Sequence, residues 1–121
     1  MFFTSIGSST ISNDFASYSE QTIPMMGKIT LGGKIHEYAS VRIQGKGTAI
    51  INRDIANNAT IRLDGPHYLL IKGSLGSGVK FETTSPVEIE FLQTPPGDIL
   101  QELQSNVVYA TNSLGGDLFI H

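Results

Sequence analysis

A period of 20 residues runs through this chain, and no other feature constrains its fold so tightly. In rows of that length the apolar residues fall into columns. Ile29, Ala49, Leu69 and Ile89 form one, and Leu31, Ile51, Ile71 and Phe91 form another. Ile35, Ile55 and Leu75 line up, as do Ala39, Ala59, Val79 and Ile99. Val41, Ile61 and Phe81 make a further column, followed by Ile43 and Leu63. From about residue 28 to 91 the register needs no insertion or deletion. Periods of this length mark repeat architectures, in which one unit cannot bury its apolar face alone and stability comes from stacking.

Within a row the spacing is two. Val41 and Ile43 flank Arg42, and Ile61 and Leu63 flank Arg62, the alternation of strands with one buried face. Turn residues recur at matching places: Gly45-Lys46-Gly47, Gly65-Pro66-His67 and Ser85-Pro86 at one corner, Asn57-Asn58 and Ser77-Gly78 at another. Proline lacks a donor, so Pro66 and Pro86 are expected at corners rather than inside a ladder. With 40% apolar residues, 16% charged residues and 13 glycines, the composition suits short strands and turns better than a helical bundle. The expected fold is all-β: a single-stranded β-solenoid (parallel β-helix) with coils of ~20 residues. Like columns would then stack about 4.8 Å apart.

The chain reads as a single domain over 1–121. Residues 1–27 hold the period loosely through Ile11, Phe15 and Ile23, as a degenerate coil or a flexible cap. Residues 28–91 form the regular coils, and 92–121 contain a break at Pro95-Pro96-Gly97, a short helix and a terminal coil. That helix, over Asp98–Gln104 with Asp98 as its N-cap, would plug the end of the core.

The stretch from Ala59 to Glu82 resembles the right-handed β-helix repeats of bactofilins and of flagellar assembly protein A. The positions that carry the resemblance are Ile61, Leu63, Gly65, Leu69, Ile71, Gly73, Leu75 and Val79. It covers roughly residues 28–91, about half the chain. The resemblance implies a bacterial, non-enzymatic, polymer-forming or scaffold role. The Pro-Pro break and the helix after it depart from the family pattern and argue against open-ended polymerisation.

Charge is unevenly placed. All eight basic residues lie between 28 and 80, opposed there only by Glu37, Asp54 and Asp64, and six of the eleven carboxylates follow residue 80. Stacked coils would set Arg62 against Glu82 and Lys34 against Asp54, but Arg42 against Arg62, a like-charge step. The basic residues are scattered over several columns without interleaved aromatics, so no nucleic-acid partner is expected. No apolar run reaches the length of a membrane span. The chain has no Cys, which excludes thiolate metal sites and fits a reducing, cytoplasmic compartment. His36, His67 and His121 lack partners at metal-ligand spacing and read as solvated corner residues, so no metal or cofactor is expected.

One outward stripe is apolar. Ile50, Tyr68 and Leu70 alternate with inward Ala49, Leu69 and Ile71, and such a patch marks either self-association or cover by a terminal segment. Catalysis on a β-helix would rest on Arg62, Asp64 and Lys72, with no convergent carboxylate pair. The expectation is therefore a non-enzymatic structural or scaffold protein that forms a homo-oligomer through Ile50, Tyr68 and Leu70, its protein partner unknown. The alternative is a carbohydrate-binding or carbohydrate-cleaving β-helix protein, or an adhesin-type interaction module.

Overall fold

In the computed structural model, residues 7–93, 99, 107–112 and 116–120 are described. The strands are β1 (Gly7–Ile11), β2 (Glu20–Pro24), β3 (Gly27–Leu31), β4 (Ser40–Ile51), β5 (Thr60–Ile71), β6 (Lys80–Thr83), β7 (Val87–Phe91), β8 (Val107–Asn112) and β9 (Gly116–Ile120). β1 to β7 pair in parallel at an offset of 20 residues: Ile11 with Leu31, Ile23 with Ile43, Ile29 with Ala49, Ile51 with Ile71, Ile61 with Phe81. This is the β-solenoid that the period predicts.

Each coil has three sides. The first wall stacks β2, the first half of β4, the first half of β5, and β6. The second stacks β1, β3, the later halves of β4 and β5, and β7. The third is one bridge wide, running through Phe15, Ile35, Ile55 and Leu75. Every apolar column named above points inward. Leu31, Ile35, Val41, Ile43, Ala49, Ile51, Ala59, Ile61, Leu69, Ile71, Ile89 and Phe91 are fully buried, and Phe81 meets Phe91 edge-on at 6.3 Å. Each inward aliphatic contributes on the order of 1.5–3 kcal/mol by burial.

The corner between the two walls differs from expectation. β4 and β5 continue through it as bent strands rather than stopping at a turn. Gly45 (φ 126°) and Gly65 (φ 117°) make the bend, and a Cβ at Gly65 would lie 2.7 Å from the Gly45 carbonyl oxygen. Backbone in this region, passing so close to the coil before, accepts only glycine. Pro66 consequently sits within the ladder, buried and opposite Gly47. The register shifts at that point, and a bulge there spares proline a donor it lacks.

The other corners are fastened coil to coil. Backbone N–H groups of Phe15, Ile35 and Ile55 donate to the carbonyls of Lys34, Asp54 and Ser74 at 2.9–3.2 Å. Side chains repeat the device: Asp14 accepts the N–H of Lys34 (2.9 Å), Asp54 that of Ser74 (3.0 Å), and Asn57 that of Ser77 (2.9 Å). These bonds hold the Asp14 and Asp54 carboxyls below the usual carboxylate range. The Lys34 charge favours the Asp54 carboxylate as expected, but the hydrogen bond that Asp54 accepts comes from the Ser74 backbone one coil on.

After β7 the register slips by one: Val87 pairs with Val107, but Glu88 with Tyr109. β9 then runs antiparallel to β8, a reversal that the repeat does not predict. The helix expected over Asp98–Gln104 lies outside the described residues, except for Ile99. Ile99 is buried, as its column with Ala39, Ala59 and Val79 requires.

Candidate functional site

The core fixes which side chains face outward, and three outward groups depart from a plain polar surface. The first is the stripe on the second wall. Ile50 and Leu70 are register partners, with Tyr68 two residues before Leu70, and all three are half-buried. The Tyr68 hydroxyl donates to the Glu90 carboxylate. Burial, that hydrogen bond, and the charges of Glu90 and Glu88 all push the phenol pKa up, so Tyr68 stays a neutral donor. Along the stacking direction the two outward columns read Lys28, Thr48, Tyr68, Glu88 and Thr30, Ile50, Leu70, Glu90. From β3 to β7 the strip runs from positive through apolar to negative, with Ser8 and Thr10 of β1 stacked before it and β8 after it.

The second group lies outside the first wall. Asp64 receives the Nε–H of Arg42 and, at 3.2 Å, that of Arg62. Burial raises the Asp64 pKa, but the two guanidinium hydrogen bonds and charges outweigh it and hold the carboxyl below its usual range. The like-charge step expected between Arg42 and Arg62 is neutralised by this shared carboxylate. Arg62 also faces Glu82 as expected, at 3.8 Å. Beside the arginines is an open hollow of about 280 Å³, lined by Glu20, Thr22, Ser40, Arg42, Arg62 and Glu82 among others. Lys72, grouped with Arg62 and Asp64 as a catalytic candidate, follows the far end of β5 on the second wall, and the fold does not bring it to them.

The third group is the corner already marked by Asn57-Asn58 and Ser77-Gly78, whose column also holds two tyrosines that the sequence analysis passed over. Asn58 and Gly78 adopt positive φ (62° and 75°), as their residue types foretell. One and two coils earlier the same position is Tyr38 (φ 61°) and Tyr18 (φ 62°). Their rings stack in parallel, 5.0 Å between centroids and 6° between planes. Tyr18 is 76% exposed and Tyr38 48%. Left-handed backbone costs a non-glycine residue roughly 1–2 kcal/mol, and aromatic stacking is worth about 0.5–1.5 kcal/mol. One stack does not by itself offset two strained residues. The signal was available: both tyrosines share a column with Asn58 and Gly78.

Of the histidines, His36 is not merely solvated but meets Asp14, Nε2 to Oδ2, at 3.4 Å. His67 is exposed at the bend, and His121 lies outside the described residues. Among the described residues no three His, Cys, Asp or Glu side chains group as metal ligands, and no helix is long and apolar enough to cross a membrane.

These features define a class: a β-solenoid repeat protein of about four turns, with differentiated outer faces. No family model, curated protein or solved structure matches the chain.

Proposed function

We propose that this solenoid is a non-enzymatic structural module that self-associates through its second wall. The observation that carries the reading is the order of outward residues there: Lys28 at one end, Ile50, Tyr68 and Leu70 in the middle, Glu88 and Glu90 at the other. A two-fold axis through the middle of such a strip lays apolar side chains on apolar side chains. It also sets Lys28 of each copy against Glu88 and Glu90 of its mate, so the strip is its own complement. The sheet order β1-β3-β4-β5-β7-β8-β9 makes this wall seven strands wide. With strands ~4.8 Å apart and five residues long, its face measures about 500–600 Å² per copy. Setting Lys28 against Glu88 places the axis between β4 and β5 and leaves β9 outside the contact, so a pair would bury about 900–950 Å² over six strands, the size of a weak, reversible dimer. Growth by coil-on-coil addition is disfavoured at the far end, where antiparallel β9 follows β8 in place of a further parallel strand.

Sedimentation across a concentration series tests this reading. Tyr68→Lys with Leu70→Lys should yield monomer with an unchanged β signal in circular dichroism. Lys28→Glu alone should weaken the dimer, as should Glu88→Lys with Glu90→Lys, and all three together should restore it. A wild-type chain that stays monomeric to millimolar concentration, or reversals that do not compensate, would overturn the proposal.

A further inference from the structure

We propose that the Tyr18–Tyr38 corner and the hollow beside it form a binding site for a neutral carbohydrate chain. The inference rests on the first wall and is independent of self-association through the second. Two exposed aromatic rings are held in a backbone conformation that their stacking does not repay, and strain of that kind collects at binding sites. Parallel rings in contact at about 3.5–4 Å, with centroids 5.0 Å apart, must be slipped sideways by about 3–3.6 Å. A slipped pair keeps part of each face open to solvent, and Tyr18 at 76% exposure is the more open. Aromatic faces of this sort take the C–H side of a sugar ring, an apolar surface rimmed by hydroxyls.

The hydroxyls then need partners, and the chain supplies them next door. Tyr18 stands two residues before Glu20, and Tyr38 two before Ser40, and both Glu20 and Ser40 line the hollow. Two residues span at most about 7 Å of backbone, so although neither tyrosine lines the hollow, a chain several sugar rings long that lies on them can reach it. Glu20 and Glu82 offer acceptors, Thr22 and Ser40 both kinds of group, and Arg42 and Arg62 donors. Asp64 holds both Nε groups, so the guanidinium planes are set before a ligand arrives and little side-chain freedom is lost on binding. Charge selects among ligands. Two guanidiniums against Glu20, Asp64 and Glu82 leave the hollow nearly balanced, which favours neither a polyanion nor a polycation.

The test is calorimetric titration of the full chain with cellohexaose, mannohexaose and chitohexaose, with hexalysine as the cationic rival. At least one oligosaccharide should bind with a submillimolar Kd. Tyr18→Asn with Tyr38→Asn, substitutions that suit the corner's backbone, should weaken binding about tenfold or more, and Arg42→Gln should weaken it independently. Circular dichroism identifies any variant that has lost its fold, and the Arg42→Gln arm then decides the matter. The proposal fails if none of the three sugars binds at millimolar concentration, if binding survives both sets of substitutions, or if hexalysine alone binds.

Discussion

Replacing both corner tyrosines with asparagine should leave the protein as stable as before or make it more stable, an unusual outcome for removing two aromatic rings. Asparagine already occupies the equivalent place at Asn58 with φ 62°. Relieving two left-handed non-glycine residues recovers up to roughly 2–4 kcal/mol, less what asparagine itself retains. Against this stands one stack, about 0.5–1.5 kcal/mol, lost once for the pair. Tyr38 is 48% exposed, so its ring also gives up on the order of 1 kcal/mol of burial, while Tyr18 at 76% gives up little. The balance runs from near zero to about 2 kcal/mol in favour of the double variant. For a chain of this size that is an unchanged midpoint or one raised by several degrees. Urea titration of the wild type, both single variants and the double variant closes a cycle, whose coupling term should equal the stack. A double variant less stable by more than about 1 kcal/mol would show the rings to be structural, and the strain argument would be wrong.

Two further outcomes test the core and the arginine cluster. Ile71→Asp puts a carboxylate at a fully buried position between Ile51 and Phe91, with no partner for its charge. The cost exceeds ~4 kcal/mol, a large part of a typical stability of 5–15 kcal/mol, so the β signal in circular dichroism should collapse. A folded, soluble variant would contradict the stacked core. Asp64→Asn should cost about 1–2 kcal/mol at pH 7, the value of charged hydrogen bonds reduced for half-exposed arginines. The folded Asp64 pKa lies below its unfolded value, so its stabilising effect is complete above about pH 4 and fades as pH falls through the folded pKa. The gap between wild type and variant should therefore narrow in acid, and a gap independent of pH down to 2 would deny the ion pairs a role.

The interior was legible in the sequence because translation by one coil is a strict operation. A residue such as Ile51 must satisfy the same inward geometry as Leu31 and Ile71, so its type repeats and the eye finds the column. The corners were legible only where local chemistry agreed with geometry. Asn58 and Gly78 announced left-handed backbone, but Tyr18 and Tyr38 hid it behind a residue type that rarely goes there. Pro66 misled in the opposite sense, because a glycine-made bulge admits proline to a ladder that otherwise excludes it. The Arg42–Asp64 contact was missed because it joins a position to one 22 residues on. Reading down columns finds partners 20 apart and overlooks diagonals. The antiparallel turn of β9 breaks the period itself, and a period cannot foretell its own end.

The outer columns carry the functional argument for the same reason that the inner ones do not. Inside, every coil must meet the demands of the one below, so Ile, Leu, Val and Ala recur with little room for specialisation. Outside, a position is constrained only by its lateral neighbours, and a solvated column can change chemistry at each step without cost to the stack. Columns that change in an ordered way are therefore informative. Lys28, Thr48, Tyr68, Glu88 is such a progression, graded from basic through aromatic to acidic between β3 and β7. Tyr18, Tyr38, Asn58, Gly78 is another, graded from strained and aromatic to relaxed and small along one corner. The two lie on different sides of the prism, so one chain can present a self-complementary wall to its own kind and an aromatic corner to a ligand at the same time. If that division holds, the sedimentation and titration experiments should respond to separate substitutions: Leu70→Lys should change mass without changing sugar binding, and Tyr38→Asn should do the reverse.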